Sequence, residues 1–552
     1  MTSANPYYQN LDGSGANQQI LFNYGPYGAS REESSSFDSW GITPELKITF
    51  ANDWQLRTML NYGESNSDYF QPSTDSVLMS QYGSAPDING AINYYDLAST
   101  ANQSLITNTL NSYSYGKAES KIANARVIVD GALYSLPGGE VRVALGAEYM
   151  DEKLSRREGS YSSSTPDTSA WQSYDRDITA FFGELQIPII GERNSLPGVQ
   201  SFDLSLSVRH DDYSDFGETT NPKIGISYVP VEWITVRASW GESFNAPTPV
   251  DQLSSQFNTF DIFPFVAVRN PADDPVGAES QTVAVQGAQP DLQPQTATTW
   301  SAGFDIEPPA LSGFRASLNY YEIEFEGTLN KPPAFNPTEL YTNFSDYAVV
   351  HPSDADLVAA ANFAVGGAQK VAPLLGTGTV YNIIYFLTDN LGNTNISGLD
   401  FAFNQLLDTS FGSVDLGLSG NYRLESETQL SSGTPWIDDL EYDEPEYFVK
   451  LSAGTNIGQL RAQLDYNYRD GYDVVETAQR PQSKVKEFGT LDMYFRYDFM
   501  GGSGWSEDLS LTMNINNVLD EEPPVYKQAG DDGYANGFSL GRLVKVGFSK
   551  RL

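Results

Sequence analysis

The chain repeats a strict alternation of apolar and polar residues. Leu460–Arg469 places Leu, Ala, Leu, Tyr and Tyr on one face and Arg, Gln, Asp, Asn and Arg on the other. A period of two residues predicts a β-strand with one apolar and one polar face. The same alternation recurs in Trp40–Phe50, Phe202–His210, Ile234–Trp240, Leu491–Phe499, Leu509–Asn516 and Val544–Leu552.

The polar face of these segments is charged, which separates them from the strands of a soluble sandwich. Arg461, Asp465 and Arg469 share one such face, and Arg496 and Asp498 share another. The inner face of a sandwich packs dry against a second sheet, and its strands average about 5–6 residues. Longer strands with an apolar outside and a charged inside indicate a barrel with a wet lumen. The prediction is an all-β fold, an antiparallel transmembrane β-barrel.

Composition agrees with a barrel. None of the 552 residues belongs to a run of about 18 apolar residues, so no helical membrane span is expected. The mean hydropathy of −0.37 does not exclude a membrane barrel, because half of each strand faces the lumen. Aromatic residues make up 13% of the chain, which suits aromatic girdles at the two membrane interfaces.

Several classes of function are excluded. The chain has no cysteine and only two histidines, so disulfides, thiolate zinc sites and multi-histidine sites are not expected. A net charge of −39 makes nucleic acid an unsuitable partner. Carboxylate pairs such as Asp438–Asp439 are frequent because acidic residues are frequent, and no glycine-rich phosphate loop is present. We predict no catalytic residue, no metal ligand and no cofactor, and therefore no enzyme.

The segments between the alternating stretches form two classes. Short connections lie at Ala51–Asp53, Leu136–Glu140, Gly191–Gln200, Val229–Glu232, Pro308–Gly313, Asp408–Gly412, Asn456–Gln459 and Gly501–Glu507. Longer ones lie near residues 69–118, 246–291, 329–379 and 429–444. Outer-membrane barrels have tight periplasmic turns and long outer loops, so this rhythm predicts which end of the barrel faces outward.

This rhythm predicts about 18 strands. They span residues 18–26, 37–50, 54–68, 119–135, 140–157, 175–190, 200–216, 221–229, 232–245, 292–307, 313–328, 380–407, 412–428, 446–456, 459–473, 486–500, 507–520 and 537–552. Tyr320–Tyr321 breaks the phase and predicts a bulge, and 380–407 is long enough to hide a bulge or an extra turn.

Several segments resemble the TonB-dependent receptor family. Asn221–Thr248 is similar to a mid-barrel hairpin of that family, although Asn245 stands where the family usually has Arg. Phe181–Pro188, Val141–Tyr149, Ser397–Phe401 and Asn514–Asp520 are similar to other strands, in the family's order. The final segment, Gly541–Leu552, resembles the closing strand that the barrel assembly machinery reads, with Phe548 in place of a terminal aromatic.

The resemblance implies a barrel of about 22 strands that is plugged by an N-terminal domain. Residues 1–552 are therefore expected to be the C-terminal part of a receptor, with the plug, the TonB box and the first strands absent. Met1–Tyr8 has neither the basic start nor the apolar stretch of a signal peptide, so an export signal is expected upstream or already removed.

By this resemblance, the function is active uptake of a scarce nutrient across the outer membrane of a Gram-negative bacterium. The cargo would be an iron chelate, a glycan fragment or a vitamin. Expected partners are outer-membrane lipid, the TonB complex through the plug and TonB box, the barrel assembly machinery through the last strand, and the small-molecule cargo. Two alternatives remain open: a passive 18-strand sugar-type porin, and a soluble all-β adhesin.

Candidate cargo-binding residues lie in and beside the long connection after Trp240. They are Phe244, Asn245, Phe257, Phe260, Phe263 and Phe265. Aromatic faces can stack on sugar rings or on planar iron chelates, but phenylalanines in a long loop can equally pack the loop against itself. The acidic run 438–446 is expected to be a solvated outer loop, because it lacks the spacing of a calcium loop.

Overall fold

A computed structural model shows the fold of the chain. It describes residues 1–550 except 12, 14, 16, 19, 21–31, 51–52, 163–168, 264, 274–278, 334–335, 443, 477–480, 500–507, 528–531 and 535–538.

The described residues contain 26 strand segments. In chain order they are β1 (Ser34–Ile42), β2 (Glu45–Thr49), β3 (Gln55–Ser73), β4 (Ser112–Leu136), β5 (Gly139–Tyr161), β6 (Gln172–Ile190), β7 (Ser201–Tyr213), β8 (Gly217–Val231), β9 (Ile234–Asn245), β10 (Thr259–Phe263), β11 (Gln281–Ala288), β12 (Gln295–Ile306), β13 (Phe314–Asn330), β14 (Ala348–Val350), β15 (Val380–Thr409), β16 (Gly412–Gln429), β17 (Trp436–Asp438), β18 (Tyr447–Ile457), β19 (Leu460–Arg469), β20 (Tyr472–Asp473), β21 (Lys484–Val485), β22 (Phe488–Phe499), β23 (Leu509–Asn516), β24 (Val525–Lys527), β25 (Asp532–Tyr534) and β26 (Leu543–Lys550).

The helices all lie in connections between long strands. They are α1 (Ser76–Ser84), α2 (Thr100–Leu110), α3 (Pro249–Gln256), α4 (Pro337–Asn343), α5 (Asp354–Asn362) and α6 (Gly367–Val371), with 3-10 turns at Ser345–Tyr347 and Ala372–Leu374. No helix in the described part of the chain is long and apolar enough to cross a membrane.

The long strands form one antiparallel meander, here called the wall. Its order is β1/β2, β3, β4, β5, β6, β7, β8, β9, β12, β13, β15, β16, β18, β19, β22, β23 and β26, and each strand pairs with the next. β1 and β2 pair with successive parts of β3 and act as one strand interrupted at residues 43–44. The antiparallel wall is confirmed, and each predicted strand from 37–50 onward has its counterpart. The first predicted strand, 18–26, lies largely outside the described residues.

The two ends of the wall differ as predicted. Connections such as 137–138, 232–233, 410–411 and 458–459 are tight. Every described helix and every additional strand lies in a connection at the opposite end. Strands β4 and β5, of 25 and 23 residues, extend well past the roughly 9–11 residues that cross a bilayer.

The outward face of the wall is apolar and exposed. Residues directly opposite each other on neighbouring strands share a face, and Leu464 lies opposite Ala453 and Met493. Leu464 is 41% exposed, and Trp300 pairs with Trp240 on the same outer face at 6.1 Å between ring centroids. Large apolar residues exposed in this regular pattern are those of a surface that contacts lipid.

The inward face is charged, and its charges pair both across strands and within one strand. Arg461 donates to Asp415 with 2.9 Å between Nη2 and Oδ2, and Arg237 lies 2.6 Å from Asp305. Arg496 contacts Asp498 at 2.8 Å. These lumen charges therefore pair within the wall itself.

One of two local predictions needs correction. The bulge does not occur at Tyr320–Tyr321, because both residues keep regular partners on β12 and β15. The register instead shifts around Gly327, which adopts φ +68°, a conformation that glycine tolerates because it has no side chain. For 380–407, the bulge alternative is confirmed and the extra turn is wrong. The segment is the single 30-residue strand β15, and its register shifts between Asn390 and Gly392 and at Ser397/Gly398.

Candidate functional site

The largest structured part outside the wall is formed by two connections. We call residues 246–294 outer connection I and residues 331–379 outer connection II. The upper half of β15 joins them in a sheet of order β10, β11, β15 and β14. β11 runs parallel to β15, unlike any pair in the wall. This sheet and its helices are called the outer layer.

The outer layer has a conventional hydrophobic core. One cluster includes Phe260, Val283, Val285, Leu357, Ala360, Ile383 and Leu387, with α5 and α6 covering the sheet. A second cluster consists of Val268, Leu340, Phe344 and Ile384. Helices α3, α4 and α5 begin with side-chain caps, including reciprocal capping boxes at Thr248/Asp251 and Ser353/Asp356. The two connections are therefore one folded unit.

A buried asparagine ties the two connections together. The amide of Asn382 on β15 donates to the carbonyl of Val268 at 2.7 Å and to the hydroxyl of Tyr341 at 2.6 Å. Its oxygen accepts from Thr282 at 2.6 Å. Asn382 and Thr282 are both fully buried, so these polar groups depend on each other for hydrogen bonds. We call this group the Asn382 anchor.

Two of the predicted cargo-binding phenylalanines form part of the interior. Phe260 is fully buried in the first cluster, and its carbonyl accepts from Lys370 of α6 at 2.8 Å. Phe257 packs against the cluster of Leu154, Tyr174 and Leu253, where α3 meets the wall. Their positions support the packing alternative, in which these rings hold the loop in place.

Phe244 and Asn245 end strand β9 at the outer rim. Phe244 packs edge-on against Tyr213 with 5.8 Å between ring centroids. Asn245 is exposed and lies opposite Gln295 on β12. They lie at the rim, where outer connection I leaves the wall.

Among the candidate phenylalanines, Phe265 is the exposed one. Its side chain is 56% exposed, and its ring centroid lies 5.7 Å from that of Phe263, which is half-buried like Phe244 and Phe257. An exposed aromatic ring on an outer loop offers a stacking surface to a planar or sugar-like ligand. Phe265, with Phe263 beside it, is therefore the part of the candidate set that is open at the outer surface.

Outer connection I is held against the inner wall by a buried arginine. Arg176 on β6 is 7% exposed and donates to the carbonyl of Pro247 at 2.8 Å. The same guanidinium lies 2.7 Å from Glu152 and 3.5 Å from Asp215, and it stacks over Tyr213. A buried cation with two carboxylate partners fixes the start of α3 within the lumen.

A second charged cluster lies farther down the same inner face. Glu148 is 9% exposed and accepts from Asn124 at 2.6 Å, from Arg126 at 2.8 Å and from Arg209 at 3.1 Å. Arg209 also pairs with the buried carboxylate of Asp211. The members of the cluster come from three strands, β4, β5 and β7, so the cluster links strands of this wall segment across the lumen face.

A cavity of about 950 Å³ lies on the lumen face of other wall strands. It lies at the outer end of β16, β18, β19 and β22. Its lining combines cationic, acidic, amide and aromatic side chains, among them Arg423, Glu444, Lys450, Asn467, Asp492 and Phe448. The guanidinium of Arg469 lies 5.6 Å from the ring centroids of both Phe448 and Tyr472. This mixture of charges suits a polar small molecule that carries hydroxyl groups.

Sequence reasoning did not single out Arg176 or Asn382. A signal for Asn382 exists, since it interrupts the apolar run Val380–Leu387 and a polar residue there needs buried partners. Arg176 has no such signal, because alternation places it on the polar face along with many solvated charges.

Comparisons with known proteins identify one family of β-barrels. The family model described as "TonB dependent receptor-like, beta-barrel" matches residues 2–518. No curated protein sequence matches the chain.

Similar solved structures include a ferric enterobactin receptor mutant from Pseudomonas aeruginosa in complex with enterobactin. It has a TM-score of 0.58 and 14% identity, over 94% of this chain and 62% of that one. The unliganded ferric citrate transporter FecA gives 0.53 and 12%, over 93% and 61%. The ferripyoverdine receptor of the Pseudomonas aeruginosa outer membrane gives 0.53 and 13%, over 93% and 56%. At such identities the likeness establishes the fold, and the chain spans about three fifths of these proteins' length.

Proposed function

The chain belongs to the TonB-dependent receptor β-barrel family, and from this membership we propose that the complete protein imports a scarce nutrient across the outer membrane of a Gram-negative bacterium. The observation that carries the proposal is the family match over residues 2–518, joined to a wall whose two ends differ as an importer requires. One end has tight turns, and the other presents a folded outer layer above a charged lumen.

Energy would come from the TonB complex, acting on a plug and TonB box that lie outside these strands. The last strand, β26, would be the segment that the barrel assembly machinery recognises. Outer-membrane lipid would contact the apolar outward face, to which Leu464 and Trp300 belong.

The cargo would meet two places in turn. Phe263 and Phe265 would provide the first contact at the outer surface. The 950 Å³ cavity beside Lys450 and Arg469 would hold it in the lumen. An iron chelate, a glycan fragment and a vitamin remain the three candidate classes, and the relatives solved with or named for ferric enterobactin, ferric citrate and ferripyoverdine make ferric chelates the first class to test.

The experiment compares uptake of labelled ferric chelates, oligosaccharides and cobalamin in cells with the gene, without it, and with it in a strain that lacks TonB. Active import predicts uptake of one class that requires both the gene and TonB. Uptake that requires the gene but persists without TonB would favour the passive porin. If deletion of the gene reduced the uptake of none of the three compound classes, import of these nutrients by this protein would be contradicted.

The outer-surface contact is tested by Phe265→Ala and Phe263→Ala. If each ring stacks on the cargo, each change should weaken binding about 2- to 10-fold. Phe411→Ala is the matched control, because Phe411 is 58% exposed but lies in a tight turn at the opposite end. Equal binding by all three variants would place the cargo elsewhere.

A further inference from the structure

A histidine bridges the two outer connections at the surface of the outer layer. His351 belongs to outer connection II, and its Nδ1 lies 2.7 Å from Glu279 Oε2 of outer connection I. Its Nε2 lies 2.6 Å from Asp273 Oδ2 of the same connection. Only the charged imidazolium carries a proton on both ring nitrogens, so only that form donates a hydrogen bond to Asp273 while it presents a second N–H, in an ion pair, to Glu279. A neutral ring would turn a lone pair toward one of them.

The remaining groups at this position are few. The ring of Tyr381 packs edge-on against His351 at 5.4 Å, and the N–H of His351 donates to the Tyr381 carbonyl at 2.7 Å. The positive charge of Arg269 interacts electrostatically with the hydroxyl of Tyr381. In the described part of the chain, the two carboxylates are thus the charged groups that contact the imidazole, and the contact between the connections depends on its charge.

The backbone at His351 needs support from its surroundings. Its φ is +51°, in the left-handed region that residues other than glycine adopt infrequently. Such a conformation persists only where surrounding contacts hold it. Loss of one carboxylate contact therefore weakens a segment that is already strained.

The Asn382 anchor limits how far such a change can spread. It holds Val268, and the Tyr381 hydroxyl accepts from the backbone N–H of Asn270 at 3.1 Å. On the other side, the N–H of Ser280 donates to the Thr379 carbonyl at 2.9 Å. The amide and hydroxyl groups of the anchor do not titrate near neutral pH. A change at His351 should therefore leave the sheet and its core folded.

We propose that His351, Asp273 and Glu279 form a latch between the two outer connections, which is closed while the imidazole is charged and opens as the pH of the external medium rises. The proposal goes beyond nutrient import and does not depend on the cargo. Because the outer layer lies at the end that faces outward, it senses a pH that the cell does not buffer.

The pH range follows from the direction of the pKa shift. The close contacts of the ring with the carboxylate of Glu279 and then with that of Asp273 raise the pKa of His351 above its usual value near 6.5. A group whose pKa is raised by folding stabilises the folded form below its unfolded pKa and loses that effect as the pH rises through the folded pKa. The latch is therefore closed in mildly acidic medium and opens in the neutral to alkaline range.

The first test uses the fact that the chain has only two histidines. NMR of the full chain with labelled histidine, in lipid nanodiscs, should give two histidine signals, and His210→Gln assigns them. We expect the His351 signal to titrate above the usual histidine range, and Glu279→Gln to move it down. A His351 signal that titrates at or below the usual range would overturn the proposal.

The second test measures opening directly by hydrogen exchange, corrected for intrinsic rates, from about pH 6 to about pH 8.5. Because folding raises the pKa of His351, the latch predicts that protection of the backbone around His351 falls as the pH rises over this range. In His351→Gln, protection should be low throughout and independent of pH, whereas His210→Gln should behave as the wild type. The peptide with Asn382 reports that the core stays folded. If His351→Gln keeps the wild-type pH dependence, the latch does not exist.

Discussion

The wall and the outer layer bury their apolar residues in opposite ways. In the wall, Leu464 and Trp300 point outward and are exposed, while charged pairs such as Arg461–Asp415 face inward. In the outer layer, Phe260 and Ile383 are fully buried, together with a few hydrogen-bonded polar side chains such as Asn382. The difference arises because the two regions lie in different solvents. Apolar residues of the wall leave water by contacting lipid, whereas those of the outer layer leave water by packing into a core.

The comparison also separates two sources of stability. Wall strands are held by continuous ladders between neighbours in sequence, and those ladders need no particular side chain. The outer layer depends on a few side chains that join residues about 100 positions apart, such as Thr282 and Asn382. A substitution in the outer layer should therefore have a local and severe effect. In the wall, the effect should depend on whether the residue faces outward or toward the lumen.

The largest effect is expected for Phe260→Ala. Removing a fully buried ring leaves a cavity and should destabilise the outer layer by about 3–5 kcal/mol. Phe265→Ala removes an exposed ring from the same connection and should cost less than about 0.5 kcal/mol. Hydrogen exchange of β10 and β11 measures both. Similar exchange in the two variants would show that the outer layer lacks the core described above.

The next effect tests the joint between the two regions. Arg176→Met removes the cation between Glu152, Asp215 and the Pro247 carbonyl, and the buried carboxylates lose their partner. We expect a loss of about 2–5 kcal/mol at this joint. Proteolysis within α3 should accelerate, whereas cleavage within α5 should not. Unchanged cleavage of α3 would show that the connection is held by apolar packing alone.

A third substitution tests the facing of the wall. Leu464→Arg places a charge on the outward face and should cost about 2–4 kcal/mol near the bilayer midplane. Gln463→Arg is the matched control on the inward face, where Gln463 already contacts Asp465 at 3.0 Å, and its effect should be small. Folding into lipid vesicles measures both. Equal losses would contradict the assigned faces.

The smallest effect is expected for Asn382→Ala. It leaves the Thr282 hydroxyl and the Val268 carbonyl without this partner, which should cost about 1–3 kcal/mol. Asn330→Ala removes an exposed amide at the end of β13 and serves as the control. Thermal unfolding followed at the outer layer should separate them. If the two variants unfold together, the anchor contributes little.

The strands were predictable because alternation is a local property. Each wall residue alternates between lipid and lumen regardless of what lies far away in sequence, so 54–68 and 459–473 could be located from their own residues. Ladder geometry is less local. The register shift lies at Gly327 and not at Tyr320–Tyr321, because only pairing with β15 shows where a residue is extra.

The candidate site was predictable only in part. The phenylalanines of outer connection I could be found from sequence, but Phe260 and Phe265 are indistinguishable there, since each lies among similar neighbours. They differ in burial because α5, α6 and β15 pack against this connection, and these elements lie about 100 residues away in sequence. Neither Arg176 nor His351 could be assigned a role without knowing what lies opposite.

Alternation along the chain was enough to predict a meander of long strands with one apolar and one polar face. The lengths of the connections predicted tight turns at one end and long connections at the other. Period-two alternation fixes that pattern wherever lipid and water meet across a single sheet. Which aromatic rings are buried, and which charged groups link the two outer connections, became visible only in the tertiary structure. The reason is that burial depends on contacts between distant segments, such as Phe260 with Lys370 and His351 with Asp273.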